Sequence, residues 1–265
     1  MDPSHRIAGT DGTLRALQIL ELLAPSPRGL SVTEVAEDIG ENKALIHRAL
    51  AALVSAGYVE QNPQNSQYSL TTRVIEVASR YHQASGFSQP TLQIIQELAD
   101  ESGSTIEVCR VIAGLPRAVH VAAPARPASS MVVLGLIGEI QTPYATGSGK
   151  LWLAEQSADV LDDYLASTSL LPLGTNTITE VRALREELDA IRAQGYAVNR
   201  MEDNTGWIAI AVPIRDLAGG FVGSISLVRP MHEVGPSEET EMLGHARQGS
   251  ELLSRLLPSW RPRMR

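Results

Sequence analysis

A short stretch near the N-terminus has the residue types and the spacing of a base-reading surface. Arg and Lys side chains pair with guanine edges through two hydrogen bonds, and Asn pairs in the same way with adenine. Asn42, Lys43, His47 and Arg48 fall on one face of a predicted helix. The small residue Ala44 lies among them and permits close approach to a groove. These residue types can read base edges in the major groove of double-stranded DNA.

Two predicted helices must position this surface. The first begins with a capping box formed by Ser31 and Glu34, and it ends at Gly40. The second begins after Asn42, a favourable N-cap, and ends at Gly57. Two short helices around a glycine corner are typical of a helix-turn-helix. An ordinary amphipathic helix with a solvated polar face is the alternative.

A hairpin is predicted after these helices. Two β-prone runs, YVEQ and YSLT, flank the turn-forming residues NPQNSQ. Three helices followed by a hairpin are the order of a winged helix-turn-helix, whose wing contacts the phosphate backbone or the minor groove. Further DNA contacts are therefore expected from Ser31, Thr33, Asn65 and Gln67. Capping alone accounts for Ser31, and turn formation is the alternative role of the wing residues.

A second candidate site lies in the stretch TPYATGSGKLWLA. A glycine-rich loop that leads into a helix offers unpaired N–H groups and the positive end of a helix dipole, which suit a carboxylate or phosphate. A nucleotide-binding P-loop is excluded, because Tyr144 stands at its first glycine position and Leu151 at its Ser/Thr position. A turn that needs glycine for its backbone angles is the alternative.

The composition narrows the classes of function. The chain has 265 residues, of which 43% are hydrophobic, and a net charge of −8. Residues 1–88 carry −2 and the remainder −6, so any nucleic-acid site must be a local patch. The only cysteine, Cys109, can form no internal disulfide, and no apolar run has membrane length. With no secretory signal at the N-terminus, we expect a cytoplasmic protein without a membrane partner.

Catalysis and metal binding have little support in the sequence. The histidines lack the spacing of metal ligands, and no nucleophile elbow is present. Cys109 stands in an alternating strand without an activating motif and is expected to be a small buried hydrophobe. We therefore expect no enzyme activity and no cofactor.

The remaining chain predicts a linker and an α/β domain. Apolar spacing predicts a helix over 72–85, and the segment GFSQP after it breaks the chain. Alternating strands and capped helices then follow up to a terminal helix. The expected domains are a winged helix-turn-helix over 10–71, a linker helix over 72–87 and an α/β domain over 88–258.

Five segments of the chain, in order and spacing, resemble those of the IclR-type bacterial transcriptional regulators. They are HRALAALVSAGYV with a wing ending in YSL, TGSGKLWLA, TNTIT, LDAIRAQGYAVN, and GWIAIAVPIRDLAGGFVGSISL. The resemblance implies a C-terminal effector-binding domain with a GAF/PAS-like α/β fold behind the winged helix-turn-helix. It also implies a palindromic DNA operator, a small organic effector, and assembly as a homodimer or homotetramer.

The resemblance further implies positions for an effector pocket. The residues before the GK pair, Gly147 and Ser148, would offer backbone amides to the effector. Four strand positions, where the family has an acidic residue, a cysteine and two serines, correspond to Asn199, Ala209, Ser226 and Val228. This chain departs from the family at three of those four positions. The loss of a carboxylate, a thiol and a hydroxyl favours a larger, partly apolar ligand.

Apolar residues complete the expected pocket. Strand alternation puts Trp207 on the side of Ala209, where it can stack on a ring, with core packing as the alternative. Further wall residues are expected on the loop side, namely Met131, Val133, Leu134 and Tyr144.

The sequence thus predicts a DNA-binding repressor of a catabolic operon, controlled by an aromatic or medium-sized carboxylic acid. The acid's carboxylate would bind the Gly147 and Ser148 amides, and its ring would lie near Trp207. Two alternatives stay open: an enzyme for small molecules, or a ligand-binding protein whose helical domain contacts other proteins. The first alternative lacks a coherent set of acid, base or nucleophile residues.

Overall fold

The computed structural model describes residues 11–126, 137–203 and 206–257. Contacts divide the chain into two compact units, and the division falls between His82 and Gln83, within the predicted linker helix. The expected fold class is confirmed, with a helical N-terminal unit and an α/β C-terminal unit.

The N-terminal unit consists of three helices, a hairpin and the beginning of the linker helix. The bounds are α1 Asp11–Leu23, α2 Val32–Ile39, α3 Lys43–Ser55, β1 Val59–Gln61, β2 Tyr68–Leu70 and α4 Arg73–Ala84. The antiparallel pair of β1 and β2 is the predicted wing. One apolar cluster holds the unit together, because the buried faces of α1, α2 and α3 meet there and Tyr68 of the wing packs against them.

The C-terminal unit is built on one antiparallel sheet of five strands in the order β4–β3–β7–β6–β5. Its strands are β3 Thr105–Ile112, β4 Leu115–Ala122, β5 Ala197–Arg200, β6 Trp207–Arg215 and β7 Phe221–Pro230. Its helices are α5 Gln89–Ser102, α6 Gly147–Ala154, α7 Ala158–Ser167, α8 Val181–Gln194 and α9 Pro236–Leu256. β3 pairs with β4, and β6 pairs with β7, as antiparallel hairpins.

Each face of the sheet is covered by different helices. Large aliphatic residues such as Val108, Ile210 and Ile225 face α5 and α9 and form the main core. The alternate residues of the same strands are small or polar, and they face the side of α6 and α8, where Ala197 and Ala211 pack. Small residues on this second face let a helix approach the sheet closely.

Among the helices that the structure describes, none is long and apolar enough to cross a membrane.

Candidate effector site and DNA-binding surface

The α3 helix presents its predicted base-reading residues to solvent. Lys43, Ala44, His47 and Arg48 are all exposed, whereas Ile46 and Leu50 are buried against the other helices. The sequence pattern alone determines this orientation, because residues three and four apart share one helix face.

Some of the residues that were expected to contact DNA form helix caps instead of presenting all of their polar groups to solvent. Asn42 is exposed, but its Oδ1 accepts a hydrogen bond from the Ala44 amide at 2.7 Å, which caps α3. Ser31 and Glu34 form the predicted capping box at the start of α2. Thr33 is half-buried in the first turn of the same helix. The side-chain Nδ2 of Asn42 and the hydroxyl of Thr33 therefore remain available to contact DNA near the N-termini of α3 and α2.

The wing is fixed at its tip by its own side chains. Asn65 accepts a hydrogen bond from the Gln67 amide through Oδ1 and donates one from Nδ2 to Gln67 Oε1 at 2.8 Å. Ser66 between them has a positive φ of 58°. The turn-forming role of Asn65 and Gln67 is thus satisfied internally, and both side chains stay at the surface.

The N-terminus of α6 presents two unpaired amides. Thr146 caps the helix, since its Oγ1 accepts from the Gly149 amide at 3.0 Å. Within the described part of the chain, the amides of Gly147 and Ser148 donate no hydrogen bond. Both residues are buried. Two amides at the positive end of a helix are a fitting site for one carboxylate.

Glycine is required here for close approach and not for a left-handed backbone. A Cβ on Gly147 would lie 2.9 Å from the Cβ of Ala211 on β6. A Cβ on Gly149 would lie 2.3 Å from the carbonyl oxygen of Thr142. The absence of both Cβ atoms lets the first turn of α6 lie directly on the sheet. The expected alternative, a turn that needs glycine for its backbone angles, is wrong at these two positions, because neither glycine has a positive φ.

Three hydroxyls bind the first turn of α6 to strand β7. The Oγ of Ser148 lies 2.9 Å from that of Ser224 and 3.0 Å from that of Ser226, and all three residues are buried. Ser226 belongs to the expected pocket. Ser224 was not singled out from the sequence, although its position two residues before Ser226 gives it the same strand face.

The other expected strand residues lie side by side on the same face. Val228, Ala209 and Asn199 are direct neighbours across β7, β6 and β5. Trp207 follows on the Ala209 side of β6, as alternation predicts. Asn199 is buried, whereas Trp207, Ala209 and Val228 are half-buried. The sheet surface next to the α6 N-terminus is therefore an apolar floor with an amide at its β5 edge.

Of the four expected wall residues, the structure describes one, Tyr144. Tyr144 is buried, and its hydroxyl donates to the carbonyl oxygen of Leu171 at 3.1 Å, which ties the α6 loop to a distant segment. Met131, Val133 and Leu134 lie outside the described residues.

An acidic residue on the same sheet face was missed from the sequence. Glu107 pairs with Ser226 across β3 and β7, and its Oε1 accepts from the Cys109 thiol at 3.3 Å. Burial raises the pKa of Glu107, and the nearby charges of Glu139 and Asp203 raise it further. Burial also raises the pKa of the Cys109 thiol, which is an unreactive state for a nucleophile. An isolated acidic residue in an alternating apolar strand was the signal available in the sequence.

Lys150 joins α6 to helix α8 and to strand β5 and the turn after it, on the side of α6 away from the serine hydroxyls. Its Nζ donates to Glu202 Oε1 at 2.7 Å, to Glu187 Oε1 at 2.8 Å and to the Val198 carbonyl oxygen at 2.8 Å. The side chain is fully buried. Burial raises the pKa of Glu202, and the Lys150 ammonium opposes that rise. Lys150 follows Gly149 as the phosphate-binding lysine of a P-loop follows its glycine, but here it is a structural cation.

Comparison with known proteins identifies the family. The model of the bacterial transcriptional regulator IclR C-terminal domain matches residues 81–255, and that of the IclR helix-turn-helix domain matches residues 12–63. The chain belongs to the IclR family of transcriptional regulators. It is therefore a DNA-binding transcriptional regulator with the helix-turn-helix domain and the C-terminal domain of that family.

Relatives and solved structures agree with this membership. The Escherichia coli DNA-binding transcriptional repressor YiaJ is 28% identical over 253 residues, which are 94% of this chain and 89% of the relative. The Thermotoga maritima IclR structure has a TM-score of 0.77 at 24% identity, covering 93% of this chain and 98% of the other. An IclR homolog from Microbacterium hydrocarbonoxydans, solved with 4-hydroxybenzoate, has a TM-score of 0.76 at 18% identity, covering 94% and 99%.

For this IclR-family regulator, we expect substitution of Lys150 by methionine to destabilise the effector domain. Methionine fills the volume but leaves Glu202 buried without its cation, a change that typically costs about 3–5 kcal/mol. The free energy of unfolding in urea, followed by far-UV circular dichroism, measures this loss.

The matched control is Lys43→Met on the exposed face of α3, which we expect to stay within about 0.5 kcal/mol of the original chain. Equal stability of the two variants would show that the Lys150 cluster does not hold α6 in place.

Proposed function

We propose that this IclR-family regulator is a repressor that binds a palindromic operator as a dimer or tetramer and responds to a small organic acid. The observation that carries the proposal is that one chain has both a solvent-facing recognition helix in its N-terminal unit and two unpaired amides at a buried helix N-terminus in its C-terminal unit. The repressor YiaJ, similar over nearly the whole chain, supports the direction of regulation. Neither a nucleophile with a lowered pKa nor a cluster of metal-ligating side chains occurs in the described residues, and we propose no enzymatic step.

DNA recognition is proposed to rest on the exposed face of α3, assisted by the α2 N-terminus and the wing. Lys43 and Arg48 are the cations of this face, and His47 stands between them. The net charge over residues 1–88 is −2, so the general electrostatic attraction to DNA is weak. Few phosphate contacts per subunit make base contacts and dimerisation the main contributors to affinity.

Arg48→Ala tests the proposed base contact. We expect it to weaken operator binding by about 1–3 kcal/mol, because a bidentate contact with a guanine edge is lost. Gel shifts on the DNA upstream of the chain's own coding sequence, at fixed salt, measure this change.

The matched control for Arg48 is Arg182→Ala, which removes the same charge from an exposed side chain of the effector domain. An Arg48→Ala variant that folds and binds DNA like this control would remove Arg48 from the interface.

The effector is proposed to be an aromatic or medium-sized carboxylic acid. Its carboxylate would accept hydrogen bonds from the Gly147 and Ser148 amides, and its ring would lie on Ala209 and Val228 beside Trp207. Apolar residues at two of the four family positions support a body larger than a two-carbon acid. A structural neighbour solved with 4-hydroxybenzoate supports an aromatic acid.

Titration of tryptophan fluorescence with aromatic and aliphatic acids tests the effector class. We expect aromatic acids to quench the emission of Trp207 through ring stacking. The Trp207→Phe variant should lose this quenching and still release heat on binding in calorimetry. If no aromatic acid produces either quenching or heat of binding, the proposed effector class is wrong.

Assembly is proposed to use apolar residues of the N-terminal unit. The linker helix α4 has no buried residue, yet it carries Ile75, Val77 and Tyr81, of which Ile75 is 66% exposed. On α1, Leu14 and Leu17 are each more than half exposed. Two exposed apolar stripes in a unit of this size are typical of a surface that pairs with another copy.

Ile75→Ser combined with Tyr81→Ser tests this surface. We expect the double variant to sediment as a monomer at concentrations where the original chain is a dimer or larger, and to bind operator DNA more weakly. Val160→Ser, which replaces an exposed apolar residue of the effector domain, should leave sedimentation unchanged. A monomeric original chain would contradict the proposal.

A further inference from the structure

Glu107 lies on β3, on the same sheet face as α6 and next to strand β7. Its neighbour on the adjacent strand β7 is Ser226, whose hydroxyl bonds to that of Ser148 in the first turn of α6. Its carboxylate accepts from Cys109, and the hydroxyls of Ser148 and Ser224 are close enough to influence the same thiol. Glu107 is thus linked through Ser226 and Cys109 to Ser148, one of the two residues with an unpaired amide. Its side chain is half-buried.

Arg215 is the cation on this face of β6, but it lies at the far end of the strand and is paired with Glu155. The described positions nearer to Glu107 on β3, β5, β6 and β7 carry no cation; they are Thr105, Cys109, Ala197, Asn199, Trp207, Ala209, Ala211, Ser224, Ser226 and Val228. The one cation on the covering helix is Lys150, and its charge is paired with Glu187 and Glu202. Further negative charge comes from Glu139 and Asp203, which are near enough to act on Glu107. The two helix amides are therefore groups of this part of the described chain that can stabilise an anion without giving up a hydrogen bond of their own.

We propose that Glu107 selects the effector: it accepts a hydrogen bond from a hydroxyl or amino group of a monocarboxylic acid, and it excludes dicarboxylic acids. The inference rests on the proposed function, because it needs an acid bound on the Gly147 and Ser148 amides. A carboxylate pairs with O–H and N–H donors in a charge-assisted hydrogen bond. A second carboxylate of a ligand would instead meet Glu107 without a counter-charge, which is costly in a partly buried site.

The preference has a predictable size. A hydrogen bond to a charged group changes affinity by roughly tenfold to a hundredfold relative to the ligand that lacks the donor. Benzoate and its three monohydroxy isomers differ by that one donor. The three benzenedicarboxylates add a second negative charge to the same ring. Comparing the hydroxybenzoates with benzoate measures the effect of a hydroxyl donor, and comparing the dicarboxylates with benzoate measures the effect of a second carboxylate. All three ring positions are included, so the position of the donor need not be assumed.

Isothermal titration of the full chain at pH 8 with these seven acids tests the proposal. We expect at least one hydroxybenzoate to bind roughly tenfold or more tightly than benzoate, and the dicarboxylates to bind most weakly. In Glu107→Gln, the ratio between the hydroxybenzoate and benzoate affinities should fall towards one, and at least one dicarboxylate should gain affinity. Glu107→Asp keeps the charge but shortens the reach, so it should still exclude dicarboxylates and lose part of the hydroxyl preference.

Glu251→Gln, an exposed site on α9, makes the same charge change away from the sheet and should behave like the original chain. If Glu107→Gln changes the affinities of benzoate and all hydroxybenzoates by one common factor, the selection by Glu107 is wrong while the proposed effector class stands. If no acid binds the original chain, the effector class itself is wrong, and the inference fails with it.

Discussion

The effector domain buries a full positive charge, the ammonium group of Lys150, and the position of its candidate site depends on that charge being paired. Removing an ammonium from water costs several kcal/mol unless its hydrogen bonds are replaced. Here two carboxylates and the backbone carbonyl of Val198 replace them, and these acceptors come from α8, from strand β5 and from the turn after it. The first turn of α6 is therefore fixed to three separate parts of the domain.

The same cluster extends to the edge of the proposed pocket. Glu202 accepts from Lys150, and its backbone amide donates to Oδ1 of Asn199 at 2.8 Å. The other end of the Asn199 amide donates to Asp203 at 2.6 Å. An asparagine where the family has an acidic residue is thereby held by hydrogen bonds on both sides. The hydroxyls of Ser224 and Ser226 bond to that of Ser148 and hold α6 to β7. The first turn of α6, with its two unpaired amides, is therefore bonded to the domain at both Lys150 and Ser148.

Local signals in the sequence were sufficient for the parts of the fold that short-range chemistry decides. The capping box at Ser31, the N-cap at Asn42 and the alternation in β6 each depend on neighbours within a few residues, and each was predicted. The resemblance to the family supplied Gly147, Ser148 and the strand positions, which no local pattern connects. The strand positions share one sheet face, and Gly147 and Ser148 lie in the first turn of the helix that packs on that face.

Glu107, Ser224 and Lys150 were missed for a different reason. Their importance depends on strand register and on partners far along the chain, such as Glu202 for Lys150, 52 residues away. A lone acidic residue in an apolar strand reads as an exposed position until the neighbouring strands are known. The wing residues Asn65 and Gln67 were predicted to contact DNA, with turn formation as the alternative, and their mutual hydrogen bonds follow only from the three-dimensional turn.

A ligand changes DNA affinity only through its different affinity for the DNA-bound and the free forms of the regulator. The most direct measurement is therefore the affinity of the full chain for its own upstream DNA at constant salt, as a function of the concentration of an acid shown to bind. We expect the dissociation constant for DNA to shift by roughly 5- to 150-fold at saturating acid, the usual range of allosteric coupling. Bound acid with unchanged DNA affinity would contradict a ligand-controlled regulator.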